Sequence, residues 1–388
     1  EEKTLEQFKA VAEDASRAAL MADGHFGYIM PVGAVAAYED RISVHGVGYD
    51  IGCGNTAIQT GRRLAELTPD ELSELADTIA NEISFGLGRT NKADDAPVDD
   101  PLFEDDAWNA IPDSLRESLR EKARGQLGTV GGGNHYVDVF VDDAGFLWVG
   151  VHFGSRGLGH TIASGFLAES QGMPWGTRVP ERPAFVGVDE PIGERYWRAM
   201  TLAGGYASAG RDYVAYKTAS LIGGEIQQVV RNHHNYCWIE RHDGYDYYVV
   251  RKGCTPAFPG QLSFIGGSMG DDAYIVEGAR ADTEAQRNAL YSTVHGAGRV
   301  MSRTRAKGRR GRKGEPKTRG EVTRQMMSEW TKRKGVIVRG GDVDESPHVY
   351  RRLDEVIAAQ GDTIQVLHTL TPIIVAMAGA DVRDPYKD

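Results

Sequence analysis

Cysteine is scarce in this chain of 388 residues: Cys53, Cys237 and Cys254 are an odd number with no C-x-x-C spacing. That arithmetic argues against a disulfide framework or a zinc finger and for a reducing compartment. No apolar run approaches the roughly eighteen residues of a membrane span, and the opening Glu1-Glu-Lys-Thr-Leu5 lacks the apolar core of a signal peptide. The expected setting is cytoplasmic, without a membrane partner. The phosphate-binding pattern Gly-x-x-x-x-Gly-Lys-Ser/Thr is absent, and no Gly-x-Gly-x-x-Gly convincingly joins a strand to a helix, which disfavours the standard nucleotide folds. Gly154-Ser155-Arg156-Gly157 has the wrong spacing for a hydrolase nucleophile elbow. Internal repeats and Pro/Ser-rich linkers are also missing. The whole of 1–388 therefore reads as one α+β (mixed α/β) domain of β-sheets flanked by helices, with a basic insertion at about 299–319.

Glycine, by contrast, is in excess: 48 residues, about 12% against roughly 7% on average. The excess points to tight turns and backbone-lined sites. A hydrophobic content of 41% and a charged content of 26% are those of a globular protein with a sizeable core. The formal charge of −11 counts against a polyanion partner only as an average. Ten of the twenty-one residues from Arg299 to Arg319 are Lys or Arg, and Glu315 is the sole acid among them. This is the footprint expected of a polyanion-binding strip, with a solvated basic loop as the plain alternative.

Helical spacing of Leu5, Phe8, Val11, Ala12, Ala15, Ala18 and Ala19 predicts an opening helix, followed by a β-like stretch from about Tyr28 to Thr60. Thr68-Pro69-Asp70-Glu71 is a capping box with proline at the first helical position, and starts a helix reaching about Ile83. The acidic segment from Gly88 to Pro112 reads as a solvated loop. Hairpins are expected around Asp142-Asp143-Ala144-Gly145, joining Tyr136–Val141 to Phe146–Phe153, and around Asp243-Gly244, joining Tyr236–Glu240 to Tyr245–Arg251. Gly193 to Val230 reads as helix interrupted at Gly204-Gly205 and Gly223-Gly224. Asp354 to Ala359 closes a further helix, and Thr371 to Ala376 reads as a buried strand.

Five of the eleven histidines, His135, His152, His233, His234 and His295, stand near glycine or asparagine in what read as strand-end loops, where rigid scaffolds present their sites. Asp50-Ile-Gly-Cys53 sets a carboxylate and a thiol three positions apart on a glycine turn, where one metal could bridge them. A thiolate, a carboxylate and several imidazoles suit Mn(II), Zn(II) or Fe(II) better than Ca(II) or Mg(II), which prefer oxygen. Taken singly, Cys53 reads as a small buried apolar residue and each histidine as a hydrogen-bonded loop residue; the conjunction raises the case for a site. Adjacent residues in an extended stretch point to opposite faces, which leaves one of His233 and His234 for the metal. His295, in His295-Gly-Ala-Gly-Arg299 with Arg303 beyond, is a candidate nucleophile beside a phosphate-binding surface, its arginines expected on the first turns of a helix.

These motifs stand in one order along nearly the whole chain: Met21-Ala-Asp-Gly-His25, Asp50-Ile-Gly-Cys53-Gly, Leu127-Gly-Thr-Val-Gly-Gly-Gly-Asn134-His135, His152-x-Gly-Ser-Arg156-Gly, His233-His234-Asn-Tyr, Arg251-Lys-Gly, Gly267-Ser-Met-Gly270, His295-Gly-Ala-Gly-Arg299-Val-Met-Ser-Arg303 and Asp344-Glu345-Ser-Pro-His-Val-Tyr350. In them the chain resembles the RtcB family of GTP-dependent RNA ligases. The resemblance implies joining of an RNA 3'-phosphate or 2',3'-cyclic phosphate end to a 5'-hydroxyl end, in tRNA splicing or RNA repair, with GTP and one or two Mn(II) ions. It implies metal binding by Asp50, Cys53, His135, His152 and His234, and a catalytic His295 that takes GMP as a phosphoramidate. A nucleotide site of Asn134, Asp138, Ser268, Gly296, Ala297, Gly298 and Tyr350 follows, with Arg156, Arg299 and Arg303 on RNA or nucleotide phosphates. Cleaved RNA is the implied partner, an activating protein is left open, and a monomer is expected.

The chain departs from the family pattern at three places. Asp138 stands where the family commonly has a guanine-reading Glu, Ala273-Tyr274 where Ser-Tyr or Ser-Phe is usual, and Met377-Ala378-Gly379 where many members end in Val-Lys-Gly. Arg383 or Lys387 is a candidate to supply the missing lysine's charge. Two other readings stay open: a descendant that binds RNA ends or a nucleotide without ligating, and a metal-dependent phosphoesterase.

Overall fold

The computed structural model describes residues 2–88, 96–309 and 318–382; Arg310, Arg312, Lys313, Arg383 and Lys387 lie outside the described residues. Its larger sheet has eight strands. Seven run in the order Leu262–Ile265, Ala273–Gly278, Ile364–Gly379, Tyr136–Asp142, Phe146–Phe153, Gly54–Arg63, Ile226–His233, and Ile337–Gly341 joins parallel to the end of Ile364–Gly379. A second sheet has four strands in the order Arg17–His25, Val32–Tyr38, Tyr245–Lys252, Asn235–His242. Only His234 separates Ile226–His233 from Asn235–His242, so the chain passes from one sheet to the other at that residue. Among the described residues no helix is long and apolar enough to cross a membrane.

The helix Pro191–Ile222 lies along both main core clusters. Val214, Ala215, Ala219 and Ile222 pack with Ile58, Val149 and Val151 of the large sheet, while Tyr196, Met200 and Tyr206 pack with Phe103, Trp108 and Phe166. Each of the larger aliphatic and aromatic side chains buried here contributes about 1.5–3 kcal/mol. Gly204 does not interrupt this helix, because there it permits close approach: a Cβ on Gly204 would come within 2.6 Å of the Tyr236 ring. The helix ends at Gly223, whose φ is 83°, and Ile226 to Val230 is strand, a correction to the helical reading of those residues.

The opening helix is shorter than its spacing predicts. It covers Glu2–Asp14, and Ala18 and Ala19 lie instead in a strand opposite Ala36 and Val35, where small side chains fit a buried sheet as well as a helix. The solvated-loop reading of Gly88 to Pro112 fails over its described part. Pro101–Glu104 and Asp106–Ala110 are short 3-10 helices whose Phe103 and Trp108 are fully buried. Their acids cap turns, Asp100 and Asp105 accepting from the N–H groups of Leu102 and Ala107. The helix Pro69–Glu82 has its predicted capping box, and both hairpins form, with Phe146–Phe153 as expected and the other strands lengthened to Tyr136–Asp142, Asn235–His242 and Tyr245–Lys252. Thr371 to Ala376 falls within the strand Ile364–Gly379, with Thr371 exposed.

One buried ion pair ties the smaller sheet to the segment before His295. Arg251, fully buried, donates to Glu240 Oε1 at 2.6 Å and Oε2 at 3.0 Å, to Ser292 Oγ at 2.8 Å and to the Leu290 carbonyl at 2.8 Å. Removing one partner of such a pair strands the other charge in the interior, at about 3–5 kcal/mol. Glu240→Ala is accordingly expected to lower the unfolding free energy by about that amount in urea titration; an unchanged midpoint would show that the pair is dispensable.

Candidate metal centre and catalytic cavity

The sheet register assembles the centre. Asn55 is opposite His152, His152 is opposite Tyr136, and Gly54 is opposite His233, so the ends of neighbouring strands deliver Cys53, His135, His152 and His234 to one place. Asp50 and Cys53 flank a tight turn in which Cys53 N–H donates to Asp50 O at 3.1 Å and Gly52 adopts φ 71°. Gly52 is required there twice over, by its left-handed backbone and because an added Cβ would stand 2.9 Å from Gly204 Cα.

Two groups of donors result, Asp50–Cys53–His135 and Cys53–His152–His234, the ligand atoms of each lying within 4.8 Å of one another. Cys53 Sγ is 3.8 Å from Nε2 of both His135 and His152, and Asp50 Oδ2 is 3.2 Å from His135 Nε2. All five residues are buried. Burial and the charge of neighbouring histidines push His152 and His234 well below the usual imidazole range, leaving neutral rings with lone pairs to give. Burial alone would raise the Asp50 carboxyl, but His135 and Arg156 beside it hold it below the carboxylate range. His152 is oriented from behind by Asn55 Oδ1, 2.8 Å from Nδ1. Nδ1 of His135 and of His234 finds no hydrogen-bond partner. The donor set of one thiol, one carboxylate and three imidazoles fits a borderline divalent ion.

His233 is turned away from this cluster. Its Nδ1 is 2.8 Å from Gly52 O and 3.1 Å from Arg211 Nη2, and its ring stacks on Tyr236. Burial lowers it to about 3. Arg211 also donates to the carbonyls of Gly52, at 2.8 Å, and Phe153, at 2.6 Å, clamping the turn from below.

A cavity of about 1020 Å³ opens onto the centre and is lined by Asp50, Cys53, His152, His234 and His295. The His295 and His234 rings are 4.9 Å apart. A buried carboxylate grips His295: Asp23 Oδ2 is 2.6 Å from Nδ1 and accepts the His295 backbone N–H at 3.1 Å. Asn134, Asp138, Ser268, Gly296, Ala297, Gly298 and Tyr350 line the same cavity. Asp138 is buried with Oδ1 unpartnered, and burial raises its carboxyl well above the usual range. Val375 and Met377 make the nearby wall apolar.

The arginines divide. Arg299 and Arg303 line the cavity, yet each is already engaged by acids: Arg299 with Glu345 at 3.3 Å, Arg303 with Asp344 at 3.2 Å and with Glu345. Arg299 precedes the helix Arg303–Lys307 and bridges to Tyr350, so the helical expectation holds for Arg303 and Arg305 and fails for Arg299. Lys307 pairs with Asp342 and Asp344, and Arg305 with Glu321. Arg299, Arg303, Arg305 and Lys307 of the basic strip are therefore matched by acids that a count along 299–319 cannot see. Arg156 does not line this cavity. It is buried, donating from Nη2 to Gly86 O at 2.8 Å. Sequence reasoning missed Asp23 and Asn55. Asp23 stands inside a recognised motif, while Asn55 is revealed only by strand register.

Comparison with known proteins agrees with this geometry. The chain is 31% identical over 379 residues to an RNA-splicing ligase RtcB1 of Escherichia coli, covering 92% of this chain and 88% of the relative. It is 32% identical over 415 residues to a tRNA-splicing ligase RtcB of Aeropyrum pernix, covering 87% and 82%. A tRNA-splicing ligase RtcB of Thermococcus kodakarensis is 30% identical over 441 residues, covering 92% and 87%. A family model described as tRNA-splicing ligase RtcB matches residues 5–378, and the chain belongs to that family.

Cys53 is common to both donor groups, so Cys53→Ala is expected to abolish Mn(II) binding in isothermal titration while the circular dichroism spectrum is kept. Asn55→Ala, which frees the His152 ring, should weaken Mn(II) binding roughly 10–100-fold. A Cys53→Ala protein that titrates like the parent would dismiss the centre.

Proposed function

We propose that the protein is an RNA ligase that joins an RNA 3'-phosphate or 2',3'-cyclic phosphate end to a 5'-hydroxyl end, consuming GTP through a guanylate carried on His295. The reading is supported above all by one convergence: two donor groups sharing Cys53 meet, in a single cavity, a histidine whose Nδ1 is held by a buried carboxylate. Asp50, Cys53, His135, His152 and His234 are the proposed holders of Mn(II). Bound there, the metal would supply Lewis-acid stabilisation and a template for phosphate oxygens.

Asp23 fixes the tautomer of His295 with the proton on Nδ1, which leaves the Nε2 lone pair to attack. Nε2 forms a bond to the α-phosphorus of GTP and pyrophosphate leaves. The positive charge that develops on the ring is balanced by Asp23. The 3'-phosphate of the RNA then takes GMP and returns His295 to its neutral form. Attack of the 5'-hydroxyl on that activated phosphorus completes the phosphodiester and expels GMP. Asp138 occupies the base-reading position; Asn134, Ser268, Gly296, Ala297, Gly298 and Tyr350 form the nucleotide walls. Arg299 and Arg303 meet phosphates by exchanging their present carboxylate partners for phosphate oxygens. We assign Arg156 the support of the turn at Asp50 instead, consistent with its burial. The protein acts, in this reading, as a cytoplasmic monomer on cleaved RNA.

Incubation with α-labelled GTP and Mn(II) is expected to place acid-labile, alkali-stable label on the protein, with none on His295→Ala. Asp23→Asn should slow labelling about a hundredfold or more, because the ring loses both orientation and counter-charge. RNA binding without label would favour an end-binding protein, and opening of a cyclic phosphate without GTP a phosphoesterase.

A further inference from the structure

Two large aromatic side chains stand in solvent at the mouth of the cavity: Phe26 is 60% exposed and Tyr28 is 50% exposed, and both line it. The loop that carries them is fixed. The Gln7 side chain clamps Gly27, donating to its carbonyl at 2.7 Å and accepting its N–H at 3.1 Å. Lys252 Nζ donates to the Tyr28 carbonyl at 2.8 Å. The next residue, Ile29, is held at φ 58°, a left-handed conformation that a β-branched side chain rarely adopts. Rigid backbone and exposed rings are a poor arrangement for solubility and a good one for receiving a flat partner.

The rings continue inward. Tyr28 meets Tyr49 edge to face, with centroids 6.3 Å apart, and Tyr49 is seated on His160 at 5.2 Å. Both ends of this strip adjoin the reacting centre through the chain: Asp23, which holds His295, precedes Phe26 by three residues, and Asp50 follows Tyr49 directly. A nucleotide whose 3'-phosphate reaches His295 would bring its base toward this wall, beside the cations Lys252, Arg299 and Arg303 of the same cavity. Unpaired bases stack on aromatic faces whatever their identity, which suits an enzyme that must accept broken ends of many sequences.

We propose that Phe26, Tyr28 and Tyr49 form a stacking platform for the terminal bases of the strand that carries the 3'-phosphate. The proposal rests on the RNA-ligase reading and adds how that strand is held. The test compares 3'-phosphate oligoribonucleotides bearing a natural or an abasic terminal nucleotide. Their binding is measured by fluorescence anisotropy, and their single-turnover ligation is expressed relative to the guanylylation rate of the same preparation. Phe26→Ala and Tyr28→Ala are expected to weaken binding of the natural end about tenfold, and to slow its ligation by a similar ratio. Tyr28→Phe, which keeps the ring, should restore the parent values, and the abasic end should bind parent and alanine variants alike. Equal losses on both ends, or no loss on the natural one, would overturn the platform. A parent protein that takes no label from GTP would count against the ligase reading, while the anisotropy comparison would still decide the platform.

Discussion

The reacting centre depends on a single sulfur. Cys53 Sγ belongs to both donor groups, and the backbone around it carries the turn from Asp50, the start of the strand Gly54–Arg63 and, through its carbonyl, the N–H of His234 at 2.9 Å. Moving it by one residue along the strand would send the thiol to the opposite face. The two sheets thus meet where their ligand-bearing ends must agree, and His234 is the hinge residue of that agreement. Buried polar atoms left unsatisfied cost about 1–3 kcal/mol each. The orphaned imidazole nitrogens here are tolerated because strand pairing and the clamp of Arg211 on Gly52 and Phe153 hold the shell in place.

Electrostatics divides the cavity into two unlike halves. Around Cys53 the imidazoles of His152 and His234 are neutral and Asp50 is an anion, an environment that draws a cation. At the far side Arg299, Arg303 and Lys307 face Asp342, Asp344 and Glu345, and their charges already cancel in large part. A net charge of −11 therefore does not forbid a polyanion, but the pull on it is local. In the proposed reading, phosphates would gain contact by exchanging carboxylate partners rather than by occupying idle arginines, so geometry would matter more than charge count.

Much of this was legible in the residues, and for physical reasons. The capping box at Thr68 and the two Asp-Gly-type hairpin turns are local chemistry, decided within a few residues, and both form where expected. Glycine-flanked histidines and the Asp50–Cys53 spacing marked the donors, since a metal shell needs particular atoms more than particular neighbours. The misses are all tertiary. Phe103 and Trp108 sit in an acidic stretch whose carboxylates cap turns instead of facing water. Gly204 looks like a helix breaker until Tyr236 is seen against it. The His233 and His234 ambiguity is settled by which one Arg211 and Gly52 capture. The acids that pair with Arg299, Arg303, Arg305 and Lys307 come from 321 and 342–345, beyond any local window.

Of the departures from the family pattern, Asp138 and Met377 line the cavity, whereas Ala273, Tyr274 and Ala378 do not. Every donor around Cys53 is present, as are His295 and the carboxylate behind it, whereas elsewhere the cavity carries a shortened carboxyl at Asp138, which burial pushes up, and the apolar side chains of Val375 and Met377. A neutral acid can donate one proton and accept one, so it discriminates among base edges less sharply than a carboxylate facing two N–H donors. An apolar wall binds a purine face without asking which purine it is. In the proposed reading, nucleotide binding would then rest on the phosphates, the metal donors and the glycine-lined loop after His295.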